Sequence, residues 1–167
     1  MRRFVDRIAF EYGATSALEG PVDGAGAERG THALLLAKRG INVTVAVSNA
    51  AEGNRVRLAY VKAGGTAPEV RVLAGDFAVG SLPAADLVVS FDALSHVSQW
   101  ESYLSGLARL ARKALVVVLR NPERLAWRRS GDAARATHSV APVLWAAGRV
   151  REHAYLIVPE ILVRLSG

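Results

Sequence analysis

The sequence predicts an α/β protein of three layers, a doubly wound and mostly parallel sheet with helices on both faces. Strand-like segments alternate along the chain with amphipathic, helix-like ones, which is the order that a parallel sheet requires. The strand-like segments are also apolar through their length, which indicates burial on both faces. With 167 residues, the chain has the size of one domain. We expect an N-terminal helix (1–14), a core (15–121) and a C-terminal segment that completes the sheet (122–167).

Four segments of the chain are predicted to form helices. In residues 3–12, Phe4, Ile8 and Tyr12 recur four positions apart, and Gly13 follows where a helix would end. The other three helices are predicted from the high helix propensity of the Ala-Leu-Leu-Leu-Ala run before Gly40, or from apolar residues that recur at helical spacing. They cover residues 31–39, 50–63 and 98–112.

Strands are predicted where β-branched and other apolar residues follow one another. INVTVAV at 41–47 and ALVVVL at 114–119 are the clearest, whereas the first strand, at 17–22, is interrupted by Gly20 and Pro21. The remaining strands are predicted at 69–73, 86–91, 153–158 and 161–165.

Composition narrows the class of protein. Cysteine is absent, which excludes disulfides and thiolate metal sites, and the four histidines show no metal-binding spacing, so we expect no metal. The N-terminus lacks the apolar core of a signal peptide, and no apolar run approaches the roughly 20 residues that span a bilayer. We therefore expect a soluble, cytoplasmic protein that does not bind membranes.

The net charge of +6 is concentrated in the C-terminal third, where residues 120–167 carry eight arginines and four acidic residues. A basic patch of this kind can bind nucleic acid, an acidic partner or a phosphorylated substrate. The alternative is a set of arginines spread over solvated faces.

Several polar and glycine-rich segments follow the predicted strands. Parallel sheets of this class bind ligands outside the carboxyl ends of their strands. The stretch VDGAGAERGTHALLLAKRG (22–40) places glycines between a strand and a helix, and a residue without Cβ lets the backbone approach a ligand closely. Ser48-Asn49, Gly75-Asp76 and residues 92–96 fall at the same edge. This edge is therefore the predicted site of a nucleotide-like cofactor.

Three segments, in this order and spacing, resemble the class I S-adenosylmethionine-dependent methyltransferases, a Rossmann-like family. They are GTHALLLAKRGINVTVAV, VRVLAGDFAVGSLPAADLVVSFDALSHV and SQWESYLSGLARLARKALVVVLRNP, and the resemblance covers residues 15–121. It implies S-adenosylmethionine as cofactor and a small molecule as methyl acceptor. Catalysis in such enzymes is mostly alignment of the acceptor with the methyl group, so no catalytic residue is assigned.

The resemblance also implies cofactor contacts. Asp76 matches the acid that contacts adenine, with Phe77 beside it, and Asn49 or its neighbour Ser48 stands where the ribose is held. Asp92 lies near the expected methionine tail, and His96 matches a position that lines the substrate entrance or acts as a base. The glycine loop supplies Asp23, Gly24, Gly26 and Gly30.

Two positions depart from the family pattern. Its first motif is D/E-x-G-x-G-x-G, but counting back from Gly30 puts Glu28 at a glycine position and leaves Asp23 one residue before the acid position. After the second strand, Ser48 or Asn49 replaces an acid, which gives up a charge-assisted bond worth about 1–2 kcal/mol.

These departures keep three alternatives open. One is a non-catalytic scaffold or regulatory subunit with the same fold, and another, motivated by the C-terminal arginines, is an RNA-directed methyltransferase. A third is a nicotinamide-binding Rossmann protein, against which Gly75-Asp76 and FDALSHV speak. The apolar segment HAYLIVPEILVRL also suggests a homodimer.

Overall fold

The computed structural model describes residues 2–20, 30–73, 79–91, 93, 100–118 and 154–157, with the backbone alone at residues 100, 101 and 154–157. Six strands are present in these residues. They are β1 (Ser16–Glu19), β2 (Asn42–Val47), β3 (Glu69–Val72), β4 (Ala85–Phe91), β5 (Ala111–Val118) and β6 (Ala154–Ile157).

The six strands form one sheet in the order β3-β2-β1-β4-β5-β6. The first five are mutually parallel, and β6 runs antiparallel to β5. The chain thus starts in the centre of the sheet, builds outward to β3 and returns past β1 to β4. This reversal of strand order creates the crevice where open α/β sheets bind ligands.

Four helices flank the sheet: α1 (Arg2–Glu11), α2 (Leu34–Lys38), α3 (Ala50–Lys62) and α4 (Trp100–Leu110), with a 3-10 turn at Val79–Ser81. One apolar cluster joins α1, α2 and α3 to one face of the sheet, and a second joins α4 and the 3-10 turn to the other face. The predicted α/β fold with helices on both faces is confirmed. Within the described residues, no helix is both long and apolar enough to cross a bilayer.

The predicted elements that fall on described residues are present, with shifted ends. Helix α1 buries Val5, Ile8 and Ala9, and Gly13 follows it at φ +55°. Helix α2 is shorter than predicted, because residues 32 and 33 form a turn before it. The strand predicted at 153–158 is observed as β6, whereas the one predicted at 161–165 lies outside the described residues.

One prediction is wrong at the junction of α4 and β5. The helix was predicted to continue through Arg112, but it ends at Leu110 and β5 begins at Ala111. Ala111 pairs with Ala85 of β4 and is buried. Behind it, Lys113 lies 3.4 Å from the carboxylate of Asp86, so long-range pairing overrides the helical propensity of the segment.

Candidate functional site

The candidate site lies at the carboxyl edge of the sheet, where β1 leads into residues 20–30, called here the glycine-rich segment. Strand β1 ends at Glu19, and Gly20 follows with φ +153°. A Cβ on Gly20 would stand 2.6 Å from the Cβ of Ala46 in β2. The Gly20 N–H donates to the carbonyl of Val89 in β4 at 3.0 Å. Glycine is therefore required here to hold the start of the segment between β2 and β4.

The segment ends at Gly30, which is buried and has φ +69°. The guanidinium of Arg2 reaches from α1 and donates to the carbonyl and to the hydroxyl oxygen of Thr31, at 3.1 and 3.0 Å. The N-terminal helix thus fixes the backbone just before α2.

The carboxylate of Glu19 joins the two ends of the segment. It is 2% exposed and accepts hydrogen bonds from the backbone N–H groups of His32, at 3.2 Å, and Ala33, at 2.9 Å. These donors precede α2 and have no helical acceptor of their own. Bonds to a carboxylate are stronger than bonds between neutral groups. Glu19 therefore holds the end of β1 against the start of α2 and sets the span that residues 20–31 must bridge.

His32 adds an aromatic contact to this anchor. Its Nδ1 lies 2.7 Å from Glu19 Oε1, and its ring stacks on Phe91 at the end of β4, with centroids 3.6 Å apart and planes 14° apart. The side chain is 14% exposed. A carboxylate, an imidazole and a phenyl ring thus tie β1, the start of α2 and β4 together at one edge.

Asn49 follows the end of β2 and begins α3. Its Oδ1 accepts from the backbone N–H of Glu52 at 2.9 Å, so it is the N-cap of the helix. Its Nδ2 lies 3.3 Å from the hydroxyl oxygen of Ser48, and both residues are exposed. The amide oxygen is thus occupied by α3, and the groups left at this strand end for a ribose are the amide N–H and the Ser48 hydroxyl.

The structure describes two of the eight predicted cofactor residues, Gly30 and Asn49, and both lie at the carboxyl edge of the sheet. The other six lie outside the described residues: Asp23, Gly24, Gly26, Asp76, Phe77 and Asp92. Glu28 and His96 do so as well. Among the described residues, no group of three or more potential metal ligands is present.

Sequence reasoning missed Glu19 and His32. It extended the first strand to residue 22 and therefore sought the acid of the motif near Asp23. The pattern that could have found Glu19 is local: it is the last residue of a short apolar run and stands directly before Gly20-Pro21. His32 has no comparable pattern, because its partner Phe91 is 59 residues away.

A cleft of about 350 Å³ lies at the opposite edge of the sheet. It is lined by the amino ends of β2 and β3 and by the residues that precede them, among them Ile41 and Pro68. Because ligands of this fold class bind at the carboxyl edge, we place the candidate site at Glu19 and not in this cleft.

Comparison with solved structures identifies the fold. Rv0187 from MTB, solved with a cofactor bound, has a TM-score of 0.65 at 20% identity, over 95% of this chain and 79% of that one. The O-methyltransferase TomG from Streptomyces achromogenes, involved in tomaymycin synthesis and solved with S-adenosylmethionine, has a TM-score of 0.64 at 14% identity, over 94% and 78%. Magnesium protoporphyrin IX methyltransferase from Synechocystis PCC 6803, also solved with S-adenosylmethionine, has a TM-score of 0.57 at 16% identity, over 94% and 78%.

No protein-family model matches the sequence, and the search of curated proteins found no match. The likeness is therefore one of structure. The strand order of the sheet, its antiparallel last strand and the likeness to these solved structures all indicate the same fold. The chain has the Rossmann-like fold of the class I S-adenosylmethionine-dependent methyltransferases.

Proposed function

We propose that this protein transfers a methyl group from S-adenosylmethionine to a small molecule. The observation that carries the proposal is the anchoring of both ends of the glycine-rich segment, by Glu19 and by Arg2, at the carboxyl edge of a sheet with methyltransferase strand order. TomG and the porphyrin methyltransferase, which share this fold, were solved with S-adenosylmethionine.

The described residues fit such a cofactor. Glycines begin and end the segment, so its backbone can approach a ligand closely. Ser48 and Asn49 offer a hydroxyl and an amide N–H at the end of β2, both suited to ribose hydroxyls. Asp76 with Phe77 for the adenine, and Asp92 for the ammonium group, complete the proposed set.

S-adenosylmethionine supplies a methyl group bound to a positively charged sulfur. The protein's part is to hold the acceptor in line with that methyl group and to exclude water. Such alignment of the two reactants lowers the barrier to transfer. The anchored segment serves this purpose because its ends are fixed by hydrogen bonds within the protein before any ligand binds. The acceptor is proposed to enter beside His96, at the position that the resemblance places at the substrate entrance.

A second candidate is a non-catalytic relative that keeps the fold as a scaffold. The geometry of Asn49 favours it, because the amide oxygen caps α3 and no carboxylate replaces it at the end of β2. A ribose would then lose its charge-assisted bond, a loss of about tenfold in affinity or more.

The test is titration calorimetry of S-adenosylmethionine and S-adenosylhomocysteine into the purified protein, with Asp76→Ala and Glu19→Gln as variants. Glu11→Gln, an exposed change on α1, is the matched control. We expect micromolar binding to the wild type and to the control, and at least about tenfold weaker binding to both variants. Thermal unfolding of each variant shows whether the fold is kept.

Absence of heat at millimolar cofactor would contradict the enzyme proposal and favour the scaffold. Binding that survives Asp76→Ala but not Glu19→Gln would keep the proposal and remove Asp76 from the proposed contacts. Cofactor binding justifies a screen for methyl acceptors, read out as formation of S-adenosylhomocysteine.

A further inference from the structure

Strand β3 is the terminal strand of the sheet. Within the described residues, β2 is its only strand partner, and no strand covers its outer edge. Its side chains are exposed at Glu69, Arg71 and Val72, and Val72 keeps 54% of its surface. An open edge of this kind can pair with another strand.

The hydrogen bonds to β2 show which backbone groups of β3 face outward. The N–H of Leu73 donates to the carbonyl of Val47 at 2.8 Å, so the backbone groups of Leu73 face β2. Because these groups alternate along a strand, those of Arg71 and Glu69 also face β2. The N–H and C=O groups of Val70 and Val72 therefore face outward.

The sequence of β3, EVRV, is complementary to itself when two copies run antiparallel. With the two-fold axis at Val70, that residue exchanges two hydrogen bonds with Val70 of the second copy, because its outward groups meet the same groups. Within one copy, Glu69 forms an ion pair with Arg71. In the dimer, Glu69 also stands directly opposite Arg71 of the second copy, and the reverse pair forms across the axis. Moving the axis to Arg71 would instead set two arginines opposite each other. Of these two alignments, charge favours the first.

We propose that β3 is the contact surface of a homodimer, in which two sheets join edge to edge around Val70. An axis perpendicular to the sheet keeps the two α3 helices on the same face of the joined sheet. Their exposed Leu58 and Val61, at 70% and 59% exposure, supply apolar area that four-residue strands lack. The surface differs from the C-terminal apolar segment, of which residues 154–157 form β6 at the opposite end of the sheet.

The dimer leaves both candidate cofactor sites open. Antiparallel pairing turns the carboxyl edges of the two sheets in opposite directions, so neither copy covers the edge at Glu19 of the other. The proposal is therefore independent of the proposed function, and a monomeric variant should bind cofactor as the wild type does.

Analytical ultracentrifugation of the full chain tests the proposal with two charge variants, Glu69→Arg and Arg71→Glu. Each alone sets like charges opposite each other at two positions, and we expect it to raise the dimer dissociation constant on the order of tenfold. An equimolar mixture of the two variants restores both opposite-charge pairs and should dimerise as the wild type does. Concentrations from about 1 to about 500 µM cover the affinity of so small an interface.

Arg109→Glu, a charge reversal at an exposed residue of α4 on the other face of the sheet, is the matched control and should leave the dissociation constant unchanged. Circular dichroism shows whether each variant folds. The proposal is overturned if the wild type is monomeric throughout, if the single variants dimerise as tightly as the wild type, or if mixing them restores nothing.

Discussion

At the scale of single residues, two buried tyrosines differ in whether the hydroxyl group has a hydrogen-bond partner. The Tyr103 hydroxyl lies 2.9 Å from that of Ser90 in β4. The Tyr60 hydroxyl is buried and has no hydrogen-bond partner among the described residues. Burial raises the pKa of both phenols well above the usual value, and the charge of Glu19 raises that of Tyr60 further. Both side chains are therefore neutral at any ordinary pH.

Removing each hydroxyl should have opposite effects on stability. Tyr103→Phe leaves Ser90 without its partner and should lower the free energy of unfolding by about 1 kcal/mol. Tyr60→Phe removes an unpaired buried polar group and should leave that free energy unchanged or raise it by up to about 1 kcal/mol. Urea unfolding of both variants beside the wild type measures the difference. Equal losses in the two variants would contradict the assignment of Tyr60 as unpaired.

At the scale of elements, the passage from β1 into the glycine-rich segment depends on Gly20. Gly20→Ala should lower the free energy of unfolding by about 3 kcal/mol, since the new Cβ meets the Cβ of Ala46 at 2.6 Å and the backbone has φ +153°. Gly80→Ala is the control, because a Cβ there meets nothing within 4 Å, and it should change the value by less than about 0.5 kcal/mol. Chemical unfolding of the two variants compares them directly. A small effect of Gly20→Ala would mean that β1 and β2 can separate at this point.

Which segments are helices and which are strands could be predicted from composition. The ends of these elements, and the role of Glu19 in anchoring the site, could not. The apolar runs of β2, β4 and β5 predicted strands because burial on both faces leaves a continuous pattern. The end of α4 was misplaced because the pairing of Ala111 with Ala85 is a contact between distant residues. Glu19 was missed because Gly30 stands eleven residues after it (30 − 19), where the family motif spans six. Counting back from the last glycine therefore stops short of the buried acid.

At the scale of the whole molecule, the parallel sheet and its two helical layers could be predicted because strands and helices alternate along the chain. Which residues come together at the edges of the sheet could not be predicted in this way. Asp86 accepts from the backbone N–H and the hydroxyl of Thr15, both at 2.9 Å, although 71 residues separate them. Its carboxylate also lies 3.4 Å from Lys113 Nζ, which donates to the carbonyl of Gly13 at 2.7 Å. One carboxylate thus joins β1, β4 and β5 at the amino edge.

This cluster should make the stability of the fold depend on pH. The backbone N–H of Thr15 is the main cause that lowers the pKa of Asp86 in the folded protein, and the Thr15 hydroxyl and Lys113 lower it further, against the opposing effect of burial. A carboxyl group whose folded pKa lies below its unfolded value, about 3.9, stabilises the fold fully above that value. The contribution is lost as the pH falls through the folded pKa.

Asp86→Asn should therefore lower the free energy of unfolding by about 1–3 kcal/mol at pH 7, where the wild type holds a carboxylate bonded to Thr15 and Lys113. The gap between variant and wild type should narrow steadily below about pH 4, as the wild-type carboxyl group takes up its proton. Urea unfolding of both proteins at several pH values from 7 to 2.5 measures this gap. A gap that stays constant over the range would mean that the shape of the side chain, and not its charge, joins the three strands. A gap that closes would mean that the charge of Asp86 stabilises the amino edge of the sheet.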